Sequence, residues 1–137
     1  MKSLFFVLLL SLTGSQKPDL NQDIIYPKAA EVKLSNGETC EVIKEKDMNK
    51  ARKIFQTYWK ENLADSTWAN FNRQYVLYNS IKMGTVVYIN GACLEKSADF
   101  YQKTWCLGYA KAKCYYTAFV NLKIKKVVSF KFNTYDN

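Results

Sequence analysis

One stretch constrains the fold more than any other. Met48, Ala51, Ile54, Phe55, Tyr58, Trp59 and Leu63 recur at helical spacing, and Lys50, Arg52, Lys53, Gln56, Lys60 and Glu61 occupy the positions between them. The spacing predicts a helix over 47–62, with Asp47 placed to cap its first turn. A stripe this aromatic requires a buried surface to lie on. Asp65 or Ser66 is positioned to begin a second, short helical turn running to Phe71.

From Arg73 onward the period changes to two and the composition becomes rich in β-branched and aromatic residues. Gln74–Asn79 and Thr85–Cys93 read as strands around the turn Ser80-Ile81-Lys82-Met83-Gly84. After a polar loop at Glu95–Asp99, three more strands are expected at Lys103–Tyr109, Cys114–Leu122 and Val127–Asn133. Upstream, Ala30–Leu34 and Glu38–Ile43 alternate on either side of Asn36-Gly37, a pair that tolerates the positive φ of a tight turn. This predicts an N-terminal hairpin, with Val32, Leu34, Cys40 and Val42 as inner-face candidates. The fold class is therefore α+β: an N-terminal hairpin, then one main helix (47–62) packed on an antiparallel sheet of about five later strands.

The first residues read as an export signal. Lys2 is followed by the apolar run Phe5-Phe6-Val7-Leu8-Leu9-Leu10 and by the small residues Gly14 and Ser15. That run is about half of the roughly 20 residues a spanning helix needs. Leu12-Thr13-Gly14 is the approach to the lipidated cysteine of a bacterial lipoprotein, but Ser15 stands where the cysteine belongs, and a hydroxyl cannot form the thioether. Membrane attachment would follow only if residue 15 were natively cysteine. The expected organisation is a lipobox-like signal peptide at 1–15, a flexible tether at 16–28 carrying both prolines, and a single α+β domain at 29–137. Ile24-Ile25-Tyr26 is the part of the tether able to dock on the domain.

Four cysteines, Cys40, Cys93, Cys106 and Cys114, accompany no histidine at all. An even count behind an export signal points to disulfides, with three possible connectivities. The spacing holds no C-x-x-C, so neither a zinc site nor a redox dithiol is indicated.

Further residues carry a resemblance. Arg73-Gln74-Tyr75-Val76, Val86-Val87-Tyr88-Ile89-Asn90, Cys93, Trp105, Cys114-Tyr115-Tyr116, Asn121-Leu122, Lys125-Lys126, Phe130 and Asn133 form a series that resembles small bacterial envelope lipoproteins. The match consists of scattered positions over roughly residues 55–133. The family pattern sets two glycines just before its second cysteine, where this chain has Lys111-Ala112-Lys113. The resemblance implies a shared fold and an envelope location, and it brings no activity. It has cysteines at positions 93 and 114, which lie in strands able to neighbour each other. Cys93–Cys114 is thus the expected bridge, leaving Cys40–Cys106 to tie the first hairpin to the sheet. One helix followed by antiparallel strands also looks like the cystatin architecture. The inhibitory Gln-x-Val-x-Gly loop, however, is broken here by tyrosine in Gln74-Tyr75-Val76-Leu77-Tyr78, and the Pro-Trp pair is missing.

Without histidine the chain lacks the commonest general base and metal ligand. The twelve carboxylates are dispersed. Glu95 and Asp99 share one loop, where a paired-carboxylate hydrolase site is conceivable but a solvated loop is the simpler reading. No catalytic residue, metal or cofactor is implied. The net charge of +8 is most simply a matter of solubility, and it also admits anionic partners. Lys111, Lys113, Lys123, Lys125, Lys126 and Lys131 cluster late in the chain among Tyr109, Tyr115 and Tyr116, and form the candidate binding set. With arginine only at 52 and 73, nucleic acid is a poor fit.

The functional expectation is a non-catalytic domain of the periplasm or outer membrane, alternatively secreted. It would bind an envelope protein or anionic polymer through an exposed sheet face and its loops. An inhibitor or immunity-type protein blocking a secreted enzyme or toxin is the alternative, presenting Ser80–Gly84 or Glu95–Asp99. A hydrolase ranks third.

Overall fold

The computed structural model describes residues 22–94, 98–106, 108 and 113–134. The expected signal at 1–15, the first part of the tether, and Glu95, Tyr109 and Lys111 lie outside the described residues. The described chain is α+β: one long helix, α1 (Glu45–Asn62), and a five-stranded mixed sheet. The strands are β1 (Asp23–Ile25), β2 (Phe71–Ser80), β3 (Gly84–Cys93), β4 (Tyr115–Asn121) and β5 (Lys126–Phe132), paired in that order. β2 to β5 form an antiparallel meander, while β1 runs parallel to β2.

α1 forms where the periodicity placed it. It buries Met48, Ala51, Phe55 and Trp59 on the sheet, while Lys44 rather than Asp47 is its N-cap, with no side-chain cap bond. Asp47 instead lies in the first turn, where a carboxylate complements the helix dipole. Phe55 meets Trp68, Tyr116 and Phe130 ring to ring, and Trp59 meets Phe71, Tyr116 and Phe132. Burying each such aromatic is worth about 1.5–3 kcal/mol. The Trp59 indole N–H donates to Ala64 O at 3.1 Å and Thr67 Oγ1 at 3.0 Å, tying α1 to the 3-10 turn Asp65–Asn70.

The N-terminal segment departs from expectation in three ways. Asp23–Ile25, inside the stretch read as a tether, is a sheet strand. The 30–43 hairpin does not form as paired strands. Gly37, at φ +83°, closes a tight turn with a single Lys33–Thr39 bridge, and Glu41 bridges onward to Leu77. Val32 and Cys40 are buried as expected, but Val42 is 53% exposed and Ile43 points inward. The phase slips because the chain leaves the turn to bridge β2 and then enters α1.

A further difference, later in the chain, follows from two buried amide side chains. The strand expected at Lys103–Tyr109 is replaced by a short helix, α2 (Ala98–Lys103), and irregular chain at 104–106. Gln74 Nε2 donates to Tyr101 O and Thr104 O, each at 2.6 Å, and Gln74 Oε1 accepts from Cys106 N at 3.0 Å and Asn90 Nδ2 at 2.9 Å. Asn90 Nδ2 also donates to Cys106 O. A buried amide pair on β2 and β3 thus satisfies backbone groups that a strand ladder would otherwise take.

Both faces of the central sheet are therefore covered. α1 lies over Phe71, Tyr75, Val87, Ile89, Ala118 and Val120. On the other face, Tyr26, Ala29, Val32 and Cys40 pack on Val76, Tyr78, Val86 and Tyr88, and Tyr101 packs with Ile24 and Ala92. Among the described residues β2 and β3 are covered on both sides, so the exposed sheet face expected to receive a partner is not on these two strands.

Candidate functional site

Two polar constellations result from this packing, and they differ in exposure. The first is one register row across all five strands: Asp23, Arg73, Gly91, Tyr116 and Phe132 are successive partners. Arg73 is 1% exposed. Its Nε donates to Asp23 Oδ1 at 2.6 Å, its Nη1 donates to Trp68 O at 2.8 Å, and its guanidinium carbon lies 3.8 Å from the Trp68 ring centre. Tyr75 Oη donates to the same Asp23 oxygen at 2.6 Å. Burial by itself opposes the Arg73 charge, but the surrounding oxygens of Tyr116, Tyr75 and Asp23 outweigh it and raise its pKa, so it stays protonated. Burial raises the pKa values of Tyr75 and Tyr116 as well, so both stay neutral phenols. With both side chains of the Asp23–Arg73 pair buried, this row fixes β1 to the sheet.

The second constellation is exposed and lies at the other end of the sheet. The β2–β3 turn and the β4–β5 turn are neighbours, because β3 and β4 pair through Val86–Asn121. Asn121 pins them together. Its Nδ2 donates to Met83 O at 2.9 Å, and its Oδ1 accepts from Lys123 N at 2.9 Å and Ile124 N at 3.3 Å. Ser80 Oγ accepts from Met83 N at 3.1 Å, and Leu122 N donates to Thr85 O at 3.2 Å. Gly84 (φ +78°) and Lys125 (φ 55°) supply the left-handed conformations that the two turns need.

On this pinned platform stand Ile81, 95% exposed, Met83, 42%, and Ile124, 54%, interleaved with exposed Lys82, Lys123, Lys125 and Lys126. Among the described residues the ion pairs are Arg73–Asp23 and Lys103–Asp99, and none of these four lysines is in one. A groove of about 300 Å³ continues from Lys125 and Lys126 along α1, past Ile54, Thr57, Tyr58 and Glu61.

Among the described residues, the expected lysine–tyrosine set is not brought together. Lys123, Lys125 and Lys126 share the turn end. Lys113 lies at the opposite end of β4, its ammonium 5.3 Å from the Phe132 ring centre. Tyr116 is fully buried against α1, and Tyr115 faces the other side, among Ile24, Ala92 and Tyr101. Lys131 is exposed on β5. Sequence reasoning missed Asn121, Ile124 and Lys82 as parts of one surface. The available signal was two lysine-bearing turns that also carry apolar residues, Ile81 and Met83 on one and Ile124 on the other.

Of the two expected bridges, Cys93–Cys114 is present and closes β3 onto the start of β4. Cys40–Cys106 is not formed. Cys40 is a buried thiol under Tyr26 and Val76, and burial pushes its pKa up to about 11. A search of family models, of curated proteins and of solved structures found no match to this chain.

Proposed function

We propose that this chain is an exported, non-catalytic binding domain of the bacterial envelope that engages an anionic ligand through the paired turns of residues 80–84 and 122–126. The observation that carries this reading is the pinning by Asn121, which holds four exposed lysines on two adjacent turns outside any ion pair among the described residues. Such a fixed cationic cluster attracts anions more strongly than the same charges spread over the surface.

The test is retention on an immobilised polyanion as salt is raised. Lys82→Glu, Lys123→Glu and Lys126→Glu together should advance elution well beyond a control set of the same size on exposed residues around α1: Lys44→Glu, Lys46→Glu and Lys60→Glu. Equal shifts for the two sets would mean that only net charge is sensed, and the reading would fall.

A second reading rests on Ile81 alone. Its near-complete exposure at the apex of the 80–84 turn also suits an inhibitor or immunity-type protein inserting that turn into the cleft of a secreted enzyme or toxin. Capture of one stoichiometric protein from envelope extract, lost on Ile81→Asp, would favour it.

A further inference from the structure

We infer that the anionic ligand is the headgroup layer of a lipid bilayer, and that Ile81, Met83 and Ile124 enter the interface while Lys82, Lys123, Lys125 and Lys126 lie among its phosphates. This rests on the proposed reading that the turn end binds anions. The chemistry of the platform selects the occupant. A soluble polyanion rewards lysines and gains nothing from aliphatic side chains held in water. A bilayer interface rewards both, because apolar side chains are buried at the acyl boundary while ammonium groups meet lipid phosphate.

Three exposed aliphatic side chains on adjacent turns, surrounded by four lysines outside any ion pair, match that two-part demand. An exposed apolar patch rimmed by polar residues marks an interaction surface. The platform is also pre-ordered, since Asn121 satisfies backbone groups of both turns, so docking orders little new chain. Glu61 lines the groove behind Lys125 and Lys126. The first described residue, Gln22, lies at the opposite end of the sheet, where its carbonyl accepts from Arg73 N.

The experiment needs a local readout, because the apolar run at residues 5–10 can itself partition into lipid. The full chain carries carbon-13 methyl methionine and is mixed with isotropic bicelles containing a spin-labelled lipid headgroup. Met83 reports the platform, and buried Met48 is the internal control. In bicelles containing phosphatidylglycerol, the Met83 methyl signal should be attenuated far more than that of Met48. High salt should restore it. Bicelles of phosphatidylcholine alone should attenuate it weakly.

Ile81→Ser with Ile124→Ser keeps every lysine and should raise the lipid needed for half attenuation roughly tenfold. Each of Lys82→Ala, Lys123→Ala and Lys126→Ala should raise it roughly fivefold. If Met83 is not attenuated, or the serine pair behaves as wild type, the bilayer inference is overturned. In that case, retention on a polyanion that still depends on the turn lysines would leave the anion-binding reading standing. Loss of both signals would overturn both.

Discussion

Gly91 and Tyr116 are register partners on β3 and β4, and the Tyr116 ring lies over Gly91 so closely that a Cβ there would stand 2.2 Å from Cε2 and Cζ. The glycine makes room for a ring rather than for a backbone turn. Tyr116 uses that room to reach across β3 toward Arg73 while packing edge-on against Phe55 and Phe71. Gly91→Ala should therefore cost about 1–3 kcal/mol or more, since the neighbour is a fully enclosed ring that cannot swing away. Tyr116→Leu on the Gly91→Ala background should recover part of that loss relative to the two single changes added together. Urea midpoints of the four proteins check this; strict additivity would refute the contact.

Asp23 and Arg73 are predicted to behave as a pair. Asp23→Ala leaves a buried guanidinium without its counter-charge and should destabilise by about 3–5 kcal/mol. Replacing both, as Asp23→Leu with Arg73→Met, should cost clearly less than the single change. Chemical denaturation of the three proteins tests this, and a double variant no more stable than Asp23→Ala would contradict it.

The bridge Cys93–Cys114 spans 21 residues of sequence. Closing a loop of that size should contribute about 3 kcal/mol in the chain-entropy account. Cys93→Ser with Cys114→Ser should lower stability by roughly that amount while keeping the far-ultraviolet spectrum. Mass spectrometry of the non-reduced, alkylated protein should find neither residue labelled.

Cys40 gives a pH dependence. Its folded pKa is raised by burial from the ordinary 9.0 to about 11, so the unfolded chain gives up this proton first. Its contribution to stability is complete below about pH 9 and declines as pH rises through 11. The buried phenol of Tyr75, raised from 10.0, acts in the same direction at still higher pH. Urea midpoints should fall across this window, and less steeply in Cys40→Ala. Alkylation of Cys40 at neutral pH should require denaturant; rapid labelling of the native protein would contradict its burial.

The parts of this fold written into the chain locally are those in which neighbouring residues share one face. The stripe from Met48 to Trp59 determines α1 because it records which side of the helix is removed from water, and β-branched and aromatic composition places β2, β3, β4 and β5 to within a few residues even where, as on β2 and β3, both faces are buried. Tertiary structure decided everything that depends on what lies opposite. Asp23–Ile25 is too short to show a period and becomes a strand because Asp23, fifty residues from Arg73 in sequence, supplies the counter-charge that a buried guanidinium requires. The chain expected to form a strand from Lys103 is instead held through its backbone at Tyr101, Thr104 and Cys106 by the side chains of Gln74 and Asn90. Lysines close together in sequence were parted to the two ends of β4, while Lys82 and Lys123, forty-one positions apart, were brought to adjacent turns by the β3–β4 register. Periodicity reports burial, whereas partnership is set by register and by the need to satisfy every buried charge and amide, which only the assembled sheet can do.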